Sequence, residues 1–205
     1  MKKIVLSQKV FNYSLFCGLL CAVFMSFSHF NAACDDLRAN VLRLHIIANS
    51  DSAPDQELKL KIRDRLLEQS NEIFREADDI ESAVLTAEDS LTEIEEIADG
   101  VITEYGCGYN AKAEVADSYF ETREYDDFTL PAGTYKSLVI TLGEGKGKNW
   151  WCVIFPEICL PAATDASLSD STARESAKIA ENKSRYIMRF KAVEVYEDIK
   201  KSISK

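Results

Sequence analysis

Two histidines and six cysteines bound the chemistry open to this 205-residue chain. His29 falls in an apolar leader, so His45 is the one histidine left for the folded part, and a multi-histidine metal site within one chain is excluded. His45 could serve as a base toward Cys107, Cys152 or Cys159, because a Cys–His pair need not be close in sequence. No G-x-S-x-G or similar nucleophile motif surrounds it, and packing accounts for a histidine inside a strand. Asp51 and Asp55 could form an acid and base pair. Their place at a helix start explains them as well, since carboxylates there offset the helix dipole. They do not fit a calcium loop, which needs a Gly and a terminal Glu at fixed spacing. The loop GEGKGKN (143–149) invites a phosphate-binding reading. A Walker loop needs four residues between its glycines and then Lys-Ser/Thr; here Gly143 and Gly147 enclose three, and Asn149 replaces the hydroxyl. The loop also joins two strands, where a phosphate site needs a following helix. No catalytic residue, metal or cofactor is implied by these groups.

The elements that must position these residues follow from hydrophobic periodicity. The run NVLRLHIIAN (40–49) suits a short buried strand carrying His45. Ser52 with Asp55 three later is a helix-start pair, in which a hydroxyl caps an amide and a carboxylate reaches back. Pro54 fits the first turn. Leu58, Ile62, Leu66 and Ile73 then predict a helix to about Arg75. Val84, Ala87, Leu91, Ile94, Ala98, Val101 and Tyr105 predict a second helix over 80–105, ended by Gly106. Its acidic residues Glu88, Glu93, Glu95, Glu96 and Asp99 read as a solvated face.

The period then switches to two. Tyr109, Ala111, Ala113 and Val115 form one strand, and Leu138, Ile140 and Leu142 another. The glycine loop would join the latter to the apolar run 150–155 as a hairpin. Trp150 and Trp151 are adjacent and point to opposite faces, so one is core and the other either lies under a helix or is exposed as a partner anchor. Phe190, Val193, Tyr196, Ile199 and Ile203 mark a basic amphipathic helix at the C-terminus. The fold class is α+β: a mixed, mainly antiparallel sheet packed by two long helices, plus that C-terminal helix.

Residues 1–33 read as a secretory signal peptide: Lys2, Lys3 and Lys9, then 13 uncharged residues (15–27), then Ala32-Ala33. Thirteen is short of the roughly 20 that span a bilayer, which favours cleavage near Ala33 over an anchor. Cys34 after Ala32-Ala33 resembles a lipoprotein signal, but Asn31 stands where that motif takes Leu. The α+β domain is expected over 34–163, and a linker with the C-terminal helix over 164–205. The net charge is -10, and without the leader 21 basic residues face 34 acidic ones. That balance excludes a general nucleic-acid binder. Cys34, Cys107, Cys152 and Cys159 would meet an oxidising compartment, and four cysteines allow three pairings. Cys152 and Cys159, seven apart around a Pro-containing bend, are the candidate disulfide.

Two segments carry a family resemblance. RLHIIANSDSAPDQELKLKIRD (43–64) and YFETREYDDFTLPAGTYKSLVITLGEGKGKNWWCVIFPEIC (119–159) resemble the stage II sporulation protein R family of endospore formers. ANSDS and GKNWWCV are the most specific parts. The chain departs where the family often has Pro, at Glu121 and Glu157, and where Gly is usual, at Asp127. The resemblance implies a non-enzymatic signalling protein, exported into the space between forespore and mother-cell membranes. There it would activate a membrane-embedded aspartic protease that processes a sigma-factor precursor. A peripheral membrane contact through the basic tail is a further expectation. Asn49, Ser50, Asp51, Asp55, Lys146, Asn149 and Trp150 are the candidate partner-binding residues. The alternative is an exported hydrolase or thiol enzyme using His45 with a Cys, or the Asp pair.

Overall fold

The computed structural model describes residues 2–125, 128–156 and 183–203. In chain order the elements are α1 (Lys2–Ala39), β1 (Leu42–Ile47), α2 (Ala53–Ile73), α3 (Ile80–Asp89), α4 (Leu91–Glu104), β2 (Ala111–Phe120), β3 (Arg123–Glu124), β4 (Thr129–Leu130), β5 (Gly133–Leu142), β6 (Asn149–Phe155) and α5 (Lys183–Ile203). The four long strands form one mixed sheet in the order β2-β5-β1-β6, and β3 and β4 form a separate short ribbon. The α+β class holds.

Strand β1 is the centre of that sheet. It runs parallel to β5, with His45 opposite Val139, and antiparallel to β6, with His45 opposite Trp151. The expected β5–β6 hairpin therefore does not form. The reason lies in β1: Leu42, Leu44 and Ile46 have no exposed surface, and a strand buried that fully needs a neighbour on each side. The loop after β5 crosses two strand spacings, about 10 Å, which six residues span easily. It is tied to the end of β1 as it passes, with Lys146 N donating to Asn49 O at 3.1 Å and Gly147 N to Ala48 O at 2.8 Å.

One sheet face is apolar and helix-covered. Leu44, Ile46, Leu138, Ile140 and Ile154 meet Leu58, Ile62 and Leu66 of α2, Ala83 and Ala87 of α3, and Ile94, Ala98 and Val101 of α4. The expected single helix over 80–105 is two helices. Ser90 leaves helical geometry (φ -95°, ψ 6°), closing α3 through Thr86 O and opening α4 through Ile94 N. A serine that competes for backbone partners makes such a break inexpensive. The apolar stripe continues across it. Gly106, at φ +69°, ends α4 as expected.

The other face is covered in part. Leu37 and Val41 at the end of α1, and Phe128 and Leu130 around the ribbon, cover Phe120, Tyr135 and Val153. Helix α1 runs unbroken past Ala33, and Cys34 and Leu37 are buried. Its stretch Gln8–Ala39 is long and apolar enough to cross a membrane, a test that signal sequences also pass. Helix α5 packs on α1 through Phe190 against Phe30, ring centroids 5.3 Å apart. Of its expected apolar stripe, Phe190 and Val193 are buried and Tyr196, Ile199 and Ile203 are exposed. The expected linker, 164–172, lies outside the described residues.

Candidate functional site

The segment after β1 and the loop after β5 meet at one end of the sheet. Asn49 joins them: its Nδ2 donates to Asp55 Oδ2 at 2.9 Å, and its Oδ1 accepts from Glu144 N at 2.9 Å. Asp51 accepts from Lys148 N at 2.7 Å. Lys59, buried on α2, donates to Lys148 O at 2.8 Å and to Gln56 Oε1 at 2.7 Å. Gln56 in turn donates to Ser50 O at 2.8 Å. The result is a clasp in which helix start, central strand and glycine loop hold one another. Gly147 has no room for a side chain, because a Cβ there would collide with Ser50 O. Gly143 adopts φ +54° beside Asn49, a backbone region suited to glycine.

Asp55 is the hub. Ser50 Oγ donates to its Oδ2 at 2.5 Å and Tyr109 OH to its Oδ1 at 2.7 Å. The Ser50 hydroxyl foremost, and then Tyr109, Asn49 and Ser52, hold its carboxyl down to about 2, against the opposing effect of burial. Burial foremost, then the hydrogen bond to Asp55 and its charge, push the Tyr109 hydroxyl up. The expected capping pair is thus only half realised. Ser52 Oγ accepts from Asp55 N at 3.3 Å, but the Asp55 carboxylate turns to Asn49, Ser50 and Tyr109. Ser52 N donates to Ser50 Oγ instead, at 3.2 Å. A carboxylate offered three side-chain donors has more to gain there than at one exposed amide.

The remaining candidates divide between the two sheet faces. Lys146 is exposed and pairs with Glu144 at 2.8 Å. Asn149 is exposed at the start of β6 and hydrogen-bonds the His45 imidazole. Trp150 is half-buried against the helix-side core, with the Arg63 guanidinium carbon 4.5 Å from its ring centroid. Trp151 lies on the opposite face with His45, centroids 5.8 Å apart. The tryptophans do point apart, and neither is fully buried.

His45 has no thiol beside it among the described residues. Cys107 and Cys152 pack into the helix-side core, across the sheet from it. Burial foremost, with Arg43 adding to it, lowers the pKa of His45, while the Asn149 contact opposes the shift. Cys152 is disulfide-bonded, and Cys17, Cys21, Cys34 and Cys107 are free. Cys159, the expected partner, lies outside the described residues.

Three roles were hidden from the sequence. Tyr109 reads as an inward strand residue, yet its hydroxyl completes the Asp55 hub. Arg43, fully buried, reads as an ordinary strand cation. The acids of α4 are not merely solvated: Asp99 accepts from Ala111 N at 2.6 Å and Glu95 from Ala113 N at 2.8 Å. Strand β2 is a sheet edge, and its outward amides need acceptors. The spacing of four between Glu95 and Asp99, one face of a helix beside alternate strand amides, is the signal that could have shown it.

Fold and site together define an α+β domain that follows an apolar N-terminal helix and closes its central strand with a polar clasp. Residues 38–165 match the stage II sporulation protein R family, and the chain belongs to that family. It is 35% identical over 138 residues to the stage II sporulation protein R of Bacillus subtilis (strain 168), a match covering 67% of this chain and 62% of that protein. The match therefore spans less than two thirds of the relative. No solved structure matches. Membership supports a role in sporulation.

Proposed function

We propose that this protein is an exported signal in endospore formation. It acts in the space between forespore and mother-cell membranes, where it activates a membrane-embedded aspartic protease that then processes a sigma-factor precursor. Family membership supports the sporulation setting, and the apolar N-terminal helix is compatible with export. The observation that carries the docking part of the reading is the clasp. It brings the ANSDS segment and the glycine loop to one end of the domain, where Asp51 and Lys146 are exposed above the buried Asp55 hub. Residues at loop ends on a rigid scaffold are suited to recognition. In this reading Asn49, Ser50 and Asp55 set the shape of the surface; Asp51, Lys146, Asn149 and the edge of Trp150 meet the protease.

The reading extends to the cysteines and the tail. Cys152 pairs with Cys159, a bond that non-reducing peptide mapping of exported protein would detect. Helix α5, with exposed Tyr196, Ile199 and Ile203 beside Lys200 and Lys201, makes the peripheral membrane contact.

The test is a reconstituted membrane containing the protease and the precursor, to which purified protein is added. Processing should appear with wild-type protein and be lost with Lys146→Glu, whose melting curve is unchanged because the Lys146 side chain pairs with Glu144 at the surface and its contact to Asn49 is made by the backbone N–H. Protein that leaves the precursor intact under conditions where the protease is otherwise competent overturns the reading.

A further inference from the structure

The second sheet face is only half covered, and its open half has an unusual floor. His45, Ile47, Thr141 and Trp151 are half-buried there. Behind them Arg43 has no exposed surface at all. Its guanidinium carbon lies 4.0 Å from the Phe120 ring centroid and 5.0 Å from that of Tyr135. Nη2 donates to Tyr125 OH at 2.8 Å, and buried Nε and Nη1 have no acceptor among the described residues. Among the described residues, the groups acting on its charge are Tyr125, Tyr135 and Arg123, none of them a carboxylate.

A buried guanidinium without an anion is among the most costly arrangements a fold can retain. Where such a group persists, its missing partner is the first thing to ask for. Two neighbours point the same way. Exposed Arg123 lies with its guanidinium carbon 4.4 Å from the Trp151 ring centroid, and buried His45 Nε2 also has no hydrogen-bond partner among the described residues. Phe120 is common to the group, its ring 6.2 Å from His45 and 6.3 Å from Trp151. In a chain of net charge -10, this is a local reversal of sign inside an aromatic wall.

We propose that this cup is a docking site for a carboxylate side chain of a partner protein, flanked in the partner by an aromatic or aliphatic residue. The carboxylate takes the place of the Tyr125 hydroxyl on Nη2 and shares a second N–H on either edge of the Arg43 guanidinium. Arg123 and His45 close over it, and the flanking apolar group lies on Trp151 and Ile47. The planar N–H edges of the buried guanidinium suit a carboxylate taken by two parallel hydrogen bonds, and a phosphate dianion costs more to strip of water on entering so dry a wall. The inference goes beyond the protease reading and does not depend on it, because it specifies the chemistry of a contact on the sheet face, which adjoins the clasp at Asn149.

The experiment uses the full chain in detergent micelles and three capped tripeptides, Phe-Glu-Phe, Phe-Gln-Phe and Phe-phosphoserine-Phe. Binding is read from the Arg43 Nε–H and Trp151 indole N–H resonances. The Glu peptide should give saturable shifts in both, with the Gln peptide at least about tenfold weaker, as loss of a charge-assisted pair requires. Arg43→Met should abolish the response. Should that variant fail to fold, two others keep the test sharp. Arg123→Ala, at an exposed position, should weaken binding, and Tyr125→Phe should strengthen it by removing the competing hydroxyl. Equal affinity for the Gln peptide overturns the proposal, as does weaker binding by Tyr125→Phe. So does preference for the phosphoserine peptide, or absence of any shift up to about 10 mM peptide, beyond which one charge pair and one ring contribute nothing useful.

Discussion

On the helix side of the sheet, Leu44, Ile46, Leu138 and Ile140 meet α2, α3 and α4 with no exposed surface. On the other side, the same two strands place Arg43, His45, Ser137 and Thr141. There Ser137 Oγ is occupied by Ala116 O at 3.0 Å and Ser118 Oγ at 2.7 Å, while Arg43 keeps two nitrogens unmatched. The difference is between burial that stabilises and burial that is only tolerated. Apolar area removed from water holds the domain on one face, which leaves the other free to carry groups that stability alone would not select.

The comparison can be broken most forcefully on the helix side. Ile140→Ala should cost about 2–5 kcal/mol, the range for a large-to-small change in a closed core, measured by urea unfolding. A loss below about 1 kcal/mol would mean that the helix layer does not dominate.

Next in size is the clasp, which belongs to neither face. Asp55→Ala should cost about 1–3 kcal/mol, because Ser50 and Tyr109 are left without their acceptor. The pH dependence has a definite sign. The folded carboxyl is held at about 2, below its ordinary 3.8, so its contribution is fully present above about 4 and is lost as pH falls toward 2. The stability gap between wild type and Asp55→Asn should close over that interval. A constant gap would show that the hub works by shape and not by charge.

Smaller again is the sheet edge. Asp99→Ala should cost about 1 kcal/mol for the lost Ala111 contact, and hydrogen exchange should speed up at Ala111 before it does at Leu138. The smallest effect sharpens the contrast most: Arg43→Met should leave the melting temperature unchanged or raise it, since it replaces an unmatched buried charge with apolar volume. A loss of more than about 3 kcal/mol would place the guanidinium among the groups that hold the fold.

What could be read in advance follows the same division. The helix-side core was legible because Leu58, Ile62 and Leu66, or Ile94, Ala98 and Val101, repeat with the helix period and need nothing distant to explain them. The glycine loop and the Asn49–Asp55 segment were legible as positions of interest, and they do meet. The hub was not, because Tyr109 comes 54 residues after Asp55 and only the closed sheet brings its hydroxyl to the carboxylate. The order of the strands was not, because adjacency in sequence favours a β5–β6 hairpin and says nothing of a strand laid between them. The ribbon β3–β4, two residues in each strand, is too short to have a period.

That inserted strand also fixes when the domain can exist. Ile46 pairs with Ile140 on one side and Trp150 on the other, both roughly a hundred residues downstream. Any process that delivers the chain from its N-terminus, whether synthesis or passage through a narrow pore, exposes β1 long before either neighbour arrives. Until β5 emerges β1 has no sheet neighbour, until β6 emerges it has one on a single side, and the contacts of Lys148 to Asp51 and Lys59 cannot close before that loop arrives. The central strand thus waits for partners from the second half of the chain, first β5 and then β6, and the sheet is completed late in any N-to-C delivery.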